Sequence, residues 1–281
     1  MSVGLEASAL ENLRSFLKTE DRDRYFASLL LNEGAAPSIT VLYAYHAELA
    51  RIPDLTKEPM AGEIRLQWWR DVINSDNPET GAGHPIAAAL GTVMNHHDLA
   101  ESSLDMMAAG RIHDLYHDPF QDMHTFETYA GETLSQLYLN SARILGADQN
   151  SALADAAGHA GVATAIMEKS RRFHRDIAQG KINLPLDIVG AAGLDASALE
   201  DGEVSPAFRA AWSTFLDQAD AHLKKALTAI QSLEGNVKAA FRPLALVAPY
   251  CRIMSGAQYD PYREAPRISQ LKAQWVLWRG L

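Results

Sequence analysis

A single cysteine, Cys251, stands in a chain of 281 residues. One thiol excludes a disulfide framework and a multi-cysteine zinc site, and it fits a reducing compartment. Basic residues are also short, with 25 Lys+Arg against 35 Asp+Glu and a formal charge of −10. A general nucleic-acid binder carries a basic footprint, so no nucleic-acid partner is expected. No apolar run approaches the roughly 18–20 residues that span a bilayer. Residues 1–10 hold Glu6 and no base, and Glu11, Glu20, Asp21 and Asp23 follow. That pattern fits neither a secretory signal nor a mitochondrial presequence, and the expectation is a cytoplasmic chain, at most peripheral to the inner membrane. No Gly-rich phosphate loop is present, and no local Ser/His/Asp or Cys/His signature; Cys251 reads as packing.

Alanine is abundant instead, at 45 residues, and β-branched runs are scarce. Alanine has the best helix propensity, and the punctuation agrees with helices. Ser8-Ala9-Leu10-Glu11 reads as a capping box. Pro37, Pro59, Pro85 and Pro206 each stand where a helix would open, and Thr125 reads as a cap. Gly146 and Gly180 stand where helices would close. About ten helices and no convincing strand pair predict an all-α protein, a helical bundle forming a single domain over residues 1–281. The acidic loop 190–204 reads as a surface excursion of that domain.

Two segments carry chemistry. The first is Leu42-Tyr43-Ala44-Tyr45-His46-Ala47-Glu48-Leu49-Ala50-Arg51-Ile52-Pro53-Asp54. The second runs Gly161-Val162-Ala163-Thr164 through Arg171-Arg172 to Asp176, then Gly180-Lys181-Ile182-Asn183-Leu184-Pro185. Together they resemble the squalene/phytoene synthases, which read L-Y-A-F-C-R-x-x-D-D-x-x-D and G-x-A-x-Q-L-x-N-x-x-R-D-x-x-x-D at these sites. The resemblance spans residues 24–278 and implies the isoprenoid-synthase fold. In that family, two aspartate clusters on facing helices hold Mg²⁺ through carboxylate oxygens, and the ions hold a prenyl diphosphate.

This chain departs from the pattern. At the first motif Ala50 and Arg51 replace two aspartates, leaving Asp54, with His46 eight residues earlier on the same nominal face. Pro53 should kink or end the helix. At the second motif Glu168, Arg172 and Asp176 are spaced i, i+4, i+8, and Arg172 replaces the central acid. A guanidinium between two carboxylates predicts an ion-pair ladder along that helix. Asp54, Glu168 and Asp176 remain the metal candidates. Arg171, Arg172, Arg175 and Lys181 are the candidates for holding an anion such as a diphosphate or lipid headgroup directly, with a solvated helix face as the other reading.

Three further groups stand out. His113, His117 and His124, with Asp114, Asp118 and Asp122, have ligand-like spacing but read as a polar surface loop. Trp68, Trp69, Trp275 and Trp278, with Leu66 and Leu271, are expected to fill the core; peripheral membrane contact is their other reading. The third group, Ala44–Ala50 with Ile64–Arg70 and Lys181–Ile188, resembles a divergent branch of the family that contains mitochondrial complex I assembly factor 6. It implies a non-catalytic assembly or binding protein whose partners are respiratory complex I subunits or assembly intermediates. No cofactor is expected on this reading, and Mg²⁺ only if the chain is enzymatically active. The alternatives are an active prenyltransferase with a rearranged site, or an isoprenoid-lipid binding protein.

Overall fold

Alanine-rich periodic segments separated by proline and glycine become helices, and the computed structural model describes residues 3–77, 79–148 and 150–280. The ends of the expected domain, Met1, Ser2 and Leu281, lie outside the described residues. The α-helices are α1 (Ala7–Glu20), α2 (Arg22–Ser28), α3 (Ala36–Leu55), α4 (Pro59–Ile73), α5 (Pro85–His97), α6 (Glu101–Ala109) and α7 (Met123–Ala130). They continue as α8 (Gln136–Ile144), α9 (Ser151–Ile177), α10 (Leu186–Ala191), α11 (Ala196–Glu200), α12 (Pro206–Gln231), α13 (Val247–Met254) and α14 (Gln270–Arg279). Among the described residues there is no strand, as the composition predicts.

Prolines open α4, α5 and α12 at their first residue, where the missing N–H costs no hydrogen bond. Two expected caps differ. The cap of α1 is Glu6, with no side-chain bond, so Ser8–Glu11 lies inside the helix rather than capping it. Asp122, not Thr125, caps α7, accepting the Thr125 N–H at 2.7 Å. An aspartate three residues before the helical amide reaches it better than the amide's own threonine can. Pro53 does not end α3; it sits two residues before the end, where it removes little of the ladder.

The expected count of about ten helices is low because long periodic stretches are broken. Residues 98–116 divide into α6 and a 3₁₀ turn, Gly110–Leu115. The stretch from 123 to 144 contains a π-helical turn, Gly131–Ser135, between α7 and α8. A 3₁₀ segment, Gly235–Leu246, precedes α13. The loop at 190–204 carries the short helix α11, whose Leu199 is buried.

Two helices form the centre. α3 is buried along most of its length and packs against α1, α5 and α8. α9 packs against α12 and the π turn. Tyr138 stacks on Phe241 at 5.4 Å, and its hydroxyl meets Thr164 Oγ1 at 2.9 Å. Tyr45 donates to the Leu104 carbonyl at 3.0 Å. These aromatic side chains fill the interior beside α3 and α9, and the polar ends of both helices meet beyond them. Among the described residues no helix is long and apolar enough to cross a membrane.

Candidate functional site

Spacing of i, i+4, i+8 sets His46, Ala50 and Asp54 on one face of α3, and Glu168, Arg172 and Asp176 on one face of α9. The structure turns the two faces toward each other. Arg172 Nη2 crosses the groove to Asp54, 3.1 Å from Oδ1 and 3.2 Å from Oδ2. Arg175 Nη2 pairs with the same carboxylate. Partial burial alone would raise the Asp54 carboxyl, but the Arg175 and Arg172 guanidinium groups outweigh it and hold it below the usual range.

The expected ladder along α9 forms only in part. Arg172 Nε lies 3.7 Å from Asp176 Oδ1, and Asp176 also accepts from Asn183 Nδ2 at 2.6 Å. Glu168 does not pair with Arg172. Its partner is Arg24 of α2, at 2.7 Å, which also binds Asp21 at 2.6 Å. Arg24 is buried, and a buried guanidinium requires carboxylates wherever the fold supplies them.

The remaining basic candidates are likewise engaged. Arg51 holds Glu48 at 2.8 Å through Nη2. Arg171 binds Asp23 at 2.9 Å, with its guanidinium 3.9 Å from the Tyr250 ring centre. Arg51, Arg171, Arg172 and Arg175 line a cavity of about 570 Å³ between α1, α3 and α9, with Lys18, Arg22 and Arg24 and with the carboxylates of Glu20, Asp21, Asp23, Asp54 and Glu168. Lys181 does not line that cavity, but it lines a second one of about 570 Å³ with Arg175. It donates to the Asp114 carbonyl at 2.7 Å and lines a smaller cavity, about 70 Å³, on the other side of Arg172.

That smaller cavity holds what the sequence did not reveal. The 3₁₀ turn carries Arg111 and Asp114 inward, and Asp114 is salt-bridged to Lys169 at 2.6 Å and Arg111 at 3.0 Å. Tyr129 donates to Asp114 Oδ2 at 3.0 Å. Burial alone would raise the Asp114 carboxyl, but Lys169 and Arg111 outweigh it and hold the group well below the usual carboxylate range. The i, i+3 spacing of Arg111 and Asp114 was the available signal. The expected polar surface loop is therefore half interior: His113 packs on Phe120 at 3.9 Å, whereas Asp122 serves as the cap of α7.

The donor set does not fit the magnesium cluster of the resembled family. Ala50 offers no oxygen, both Asp54 oxygens face guanidinium groups, and Arg172 brings a fixed positive charge to a cation's place. Among the described residues no group of three or more His, Cys, Asp or Glu side chains is arranged to hold a metal ion.

His46 lies beneath this lattice and is 2% exposed. Burial, reinforced by the charges of Arg24 and Arg111, holds its imidazole well below the ordinary 6.5. The unfolded chain takes up that proton near pH 6.5 while the folded chain refuses it. Stability is thus unpenalised above that pH and declines below it, by about 1.4 kcal/mol per pH unit for this one group. His84, His97, His113, His159 and His222 are shifted in the same direction. Urea titrations are expected to show a declining midpoint toward about pH 5, with a flatter decline in His46→Gln. An identical decline in that variant would remove His46 from the account.

The core expectation for the tryptophans holds for Leu66 and Trp69 but not for the others. Trp68, Leu271, Trp275 and Trp278 are exposed. Small Ala273, with Leu277, takes the inward face of α14 instead.

Comparisons with known proteins bear on the family and the fold. The model of the family described as squalene/phytoene synthase matches residues 17–279. NADH dehydrogenase (ubiquinone) complex I, assembly factor 6, of Bos taurus is 28% identical over 261 residues, covering 92% of this chain and 77% of that protein. The Homo sapiens protein of the same description is 25% identical over 254 residues, covering 90% and 75%. A dehydrosqualene synthase crystal structure superposes with a TM-score of 0.81 at 16% identity, covering 96% of this chain and 94% of that one. Squalene synthase HpnC from Alicyclobacillus acidocaldarius gives 0.74 at 15% identity, covering 91% and 95%. At such identities the structural likeness shows the all-α isoprenoid-synthase fold.

Proposed function

The chain belongs to the squalene/phytoene synthase family, and from that premise we propose that it performs no metal-dependent prenyl transfer and serves as a binding or assembly protein in respiratory complex I biogenesis. One observation carries the first half: Arg172 and Arg175 clasp Asp54 where the family gathers carboxylates around metal. A guanidinium there repels a divalent cation and occupies the lone pairs it would need. The second half rests on likeness to complex I assembly factor 6 over about nine-tenths of the chain. A shared fold does not fix function, so the assembly role needs its own test.

Purified protein incubated with farnesyl or geranylgeranyl diphosphate is expected to release no diphosphate above a protein-free control, with or without Mg²⁺. Sustained Mg²⁺-dependent release would overturn the non-catalytic reading. Deleting the gene in a host that makes complex I should lower assembled complex I and NADH:ubiquinone activity, and re-expression should restore both. Unchanged complex I would overturn the assembly role.

The arginine-lined cavity of about 570 Å³ favours a second reading, in which the same protein holds an anionic isoprenoid lipid without transforming it. A prenyl diphosphate would then raise the melting temperature in the absence of Mg²⁺.

A further inference from the structure

α14 has its large apolar residues on the wrong side for a core helix. Ala273 and Leu277 face inward, and Arg242 Nη1 donates to the Leu277 carbonyl at 2.8 Å, fastening the helix to the 3₁₀ segment Gly235–Leu246. Leu271, Trp275 and Trp278, spaced i, i+4, i+7, form one outward stripe and are 79%, 54% and 69% exposed. At about 100° per residue, Lys272 and Arg279 both fall along one edge of this stripe. Arg279 lies over the Trp275 ring, 5.0 Å from its centre.

Charge along this segment runs against the chain as a whole. Residues 265–280 carry Arg267, Lys272 and Arg279 and no acid, in a chain whose net charge is −10. We infer that the outward face of α14 is a docking surface for an anionic lipid bilayer, with Leu271, Trp275 and Trp278 entering the headgroup–acyl boundary and Lys272 and Arg279 meeting lipid phosphates.

The chemistry matches that occupant. Indole rings favour the interface, where one edge is apolar and the other wet, and long basic side chains reach past them to phosphate. A second copy docked antiparallel through this face would bring the Lys272 and Arg279 edges of both helices to the same side, where like charges disfavour it. Nucleic acid is opposed by the net charge. A chain this acidic is repelled by anionic lipid elsewhere on its surface, so attachment is peripheral, reversible and salt-sensitive. This surface is independent of the ion-pair groove and of any role in complex I biogenesis.

The test is co-sedimentation of the full chain with vesicles of phosphatidylcholine alone, and of equal parts phosphatidylcholine and phosphatidylglycerol. Binding is expected to the mixed vesicles only, with a blue shift in tryptophan emission and release by high salt. Trp275→Ala/Trp278→Ala should weaken the partition by about tenfold or more. Lys272→Glu/Arg279→Glu should weaken it by about fivefold or more. All four side chains are at the surface, so the melting temperature should be unchanged in both variants. Ile64→Ser, on the exposed Met60–Ile64–Trp68 stripe of α4, which has Glu63 on one side and Arg65 on the other and so no net basic edge, should bind like the parent. Failure to sediment, equal sedimentation of either double variant, or loss of binding in Ile64→Ser would overturn the assignment. Self-association abolished by Trp275→Ala/Trp278→Ala without vesicle binding would also overturn it, in favour of a second copy.

Discussion

Asp114→Asn is expected to destabilise the protein by about 3–5 kcal/mol, the range for removing one partner of a buried ion pair. Asp114 is the carboxylate between two cations, the largely enclosed Lys169 at 2.6 Å and the buried Arg111 at 3.0 Å. Arg111 already has one nitrogen, Nη2, without a hydrogen-bond partner. An amide cannot balance either charge, and its NH₂ would face one of them. Lys169, whose ammonium Asp114 sustains against burial, would then lose its proton more readily. The variant should therefore recover part of its lost stability as pH rises toward 10, while the parent does not. Adding Lys169→Met should recover half the loss or more, since removing both partners relieves the unpaired charge. Denaturant unfolding of the single and double variants measures this directly. A single variant as stable as the parent, or a double variant worse than additive, would dissolve the argument.

This cluster also marks where sequence reading reached its limit. Periodicity decides which residues share a face, so the placement of Asp54, Glu168, Arg172 and Asp176 on two helix faces is legible in the sequence. It could not say which face meets which. The Arg24–Glu168 pair joins residues 144 apart in the chain, and nothing local announces it. Asp114 sits among His113, His117 and Asp118, a composition that reads as solvated, yet the 3₁₀ turn tucks it inward. α14 misled for the opposite reason. An apolar stripe at helical spacing has the same period whether it faces core or solvent. There the inward face was given to Ala273 and Leu277, leaving the tryptophans outside. Proline-opened helices were legible, because proline at the first helical position needs no tertiary partner.

Gly161→Ala is expected to cost about 2–3 kcal/mol, although alanine is the better helix former. α9 passes so close to the π turn at Gly131–Ser135 that a Cβ on residue 161 would lie 2.5 Å from Ser135 N and 2.8 Å from Ser135 Cα. Those are backbone atoms, and they cannot swing aside as the end of a flexible side chain can. The helix must move away, and the contacts packed around Leu134 and Ala165 loosen with it. Gly158, one turn earlier on the same helix, has nothing within 4 Å of the equivalent position. Gly158→Ala should therefore stabilise by about 0.5–1 kcal/mol, from backbone entropy alone. Opposite signs three residues apart separate close packing from helix propensity, and urea unfolding of the two variants reads both. If Gly161→Ala proved as stable as Gly158→Ala, the close approach would be wrong. The same approach fixes how deeply α9 sits, and with it the reach of Arg172 to Asp54.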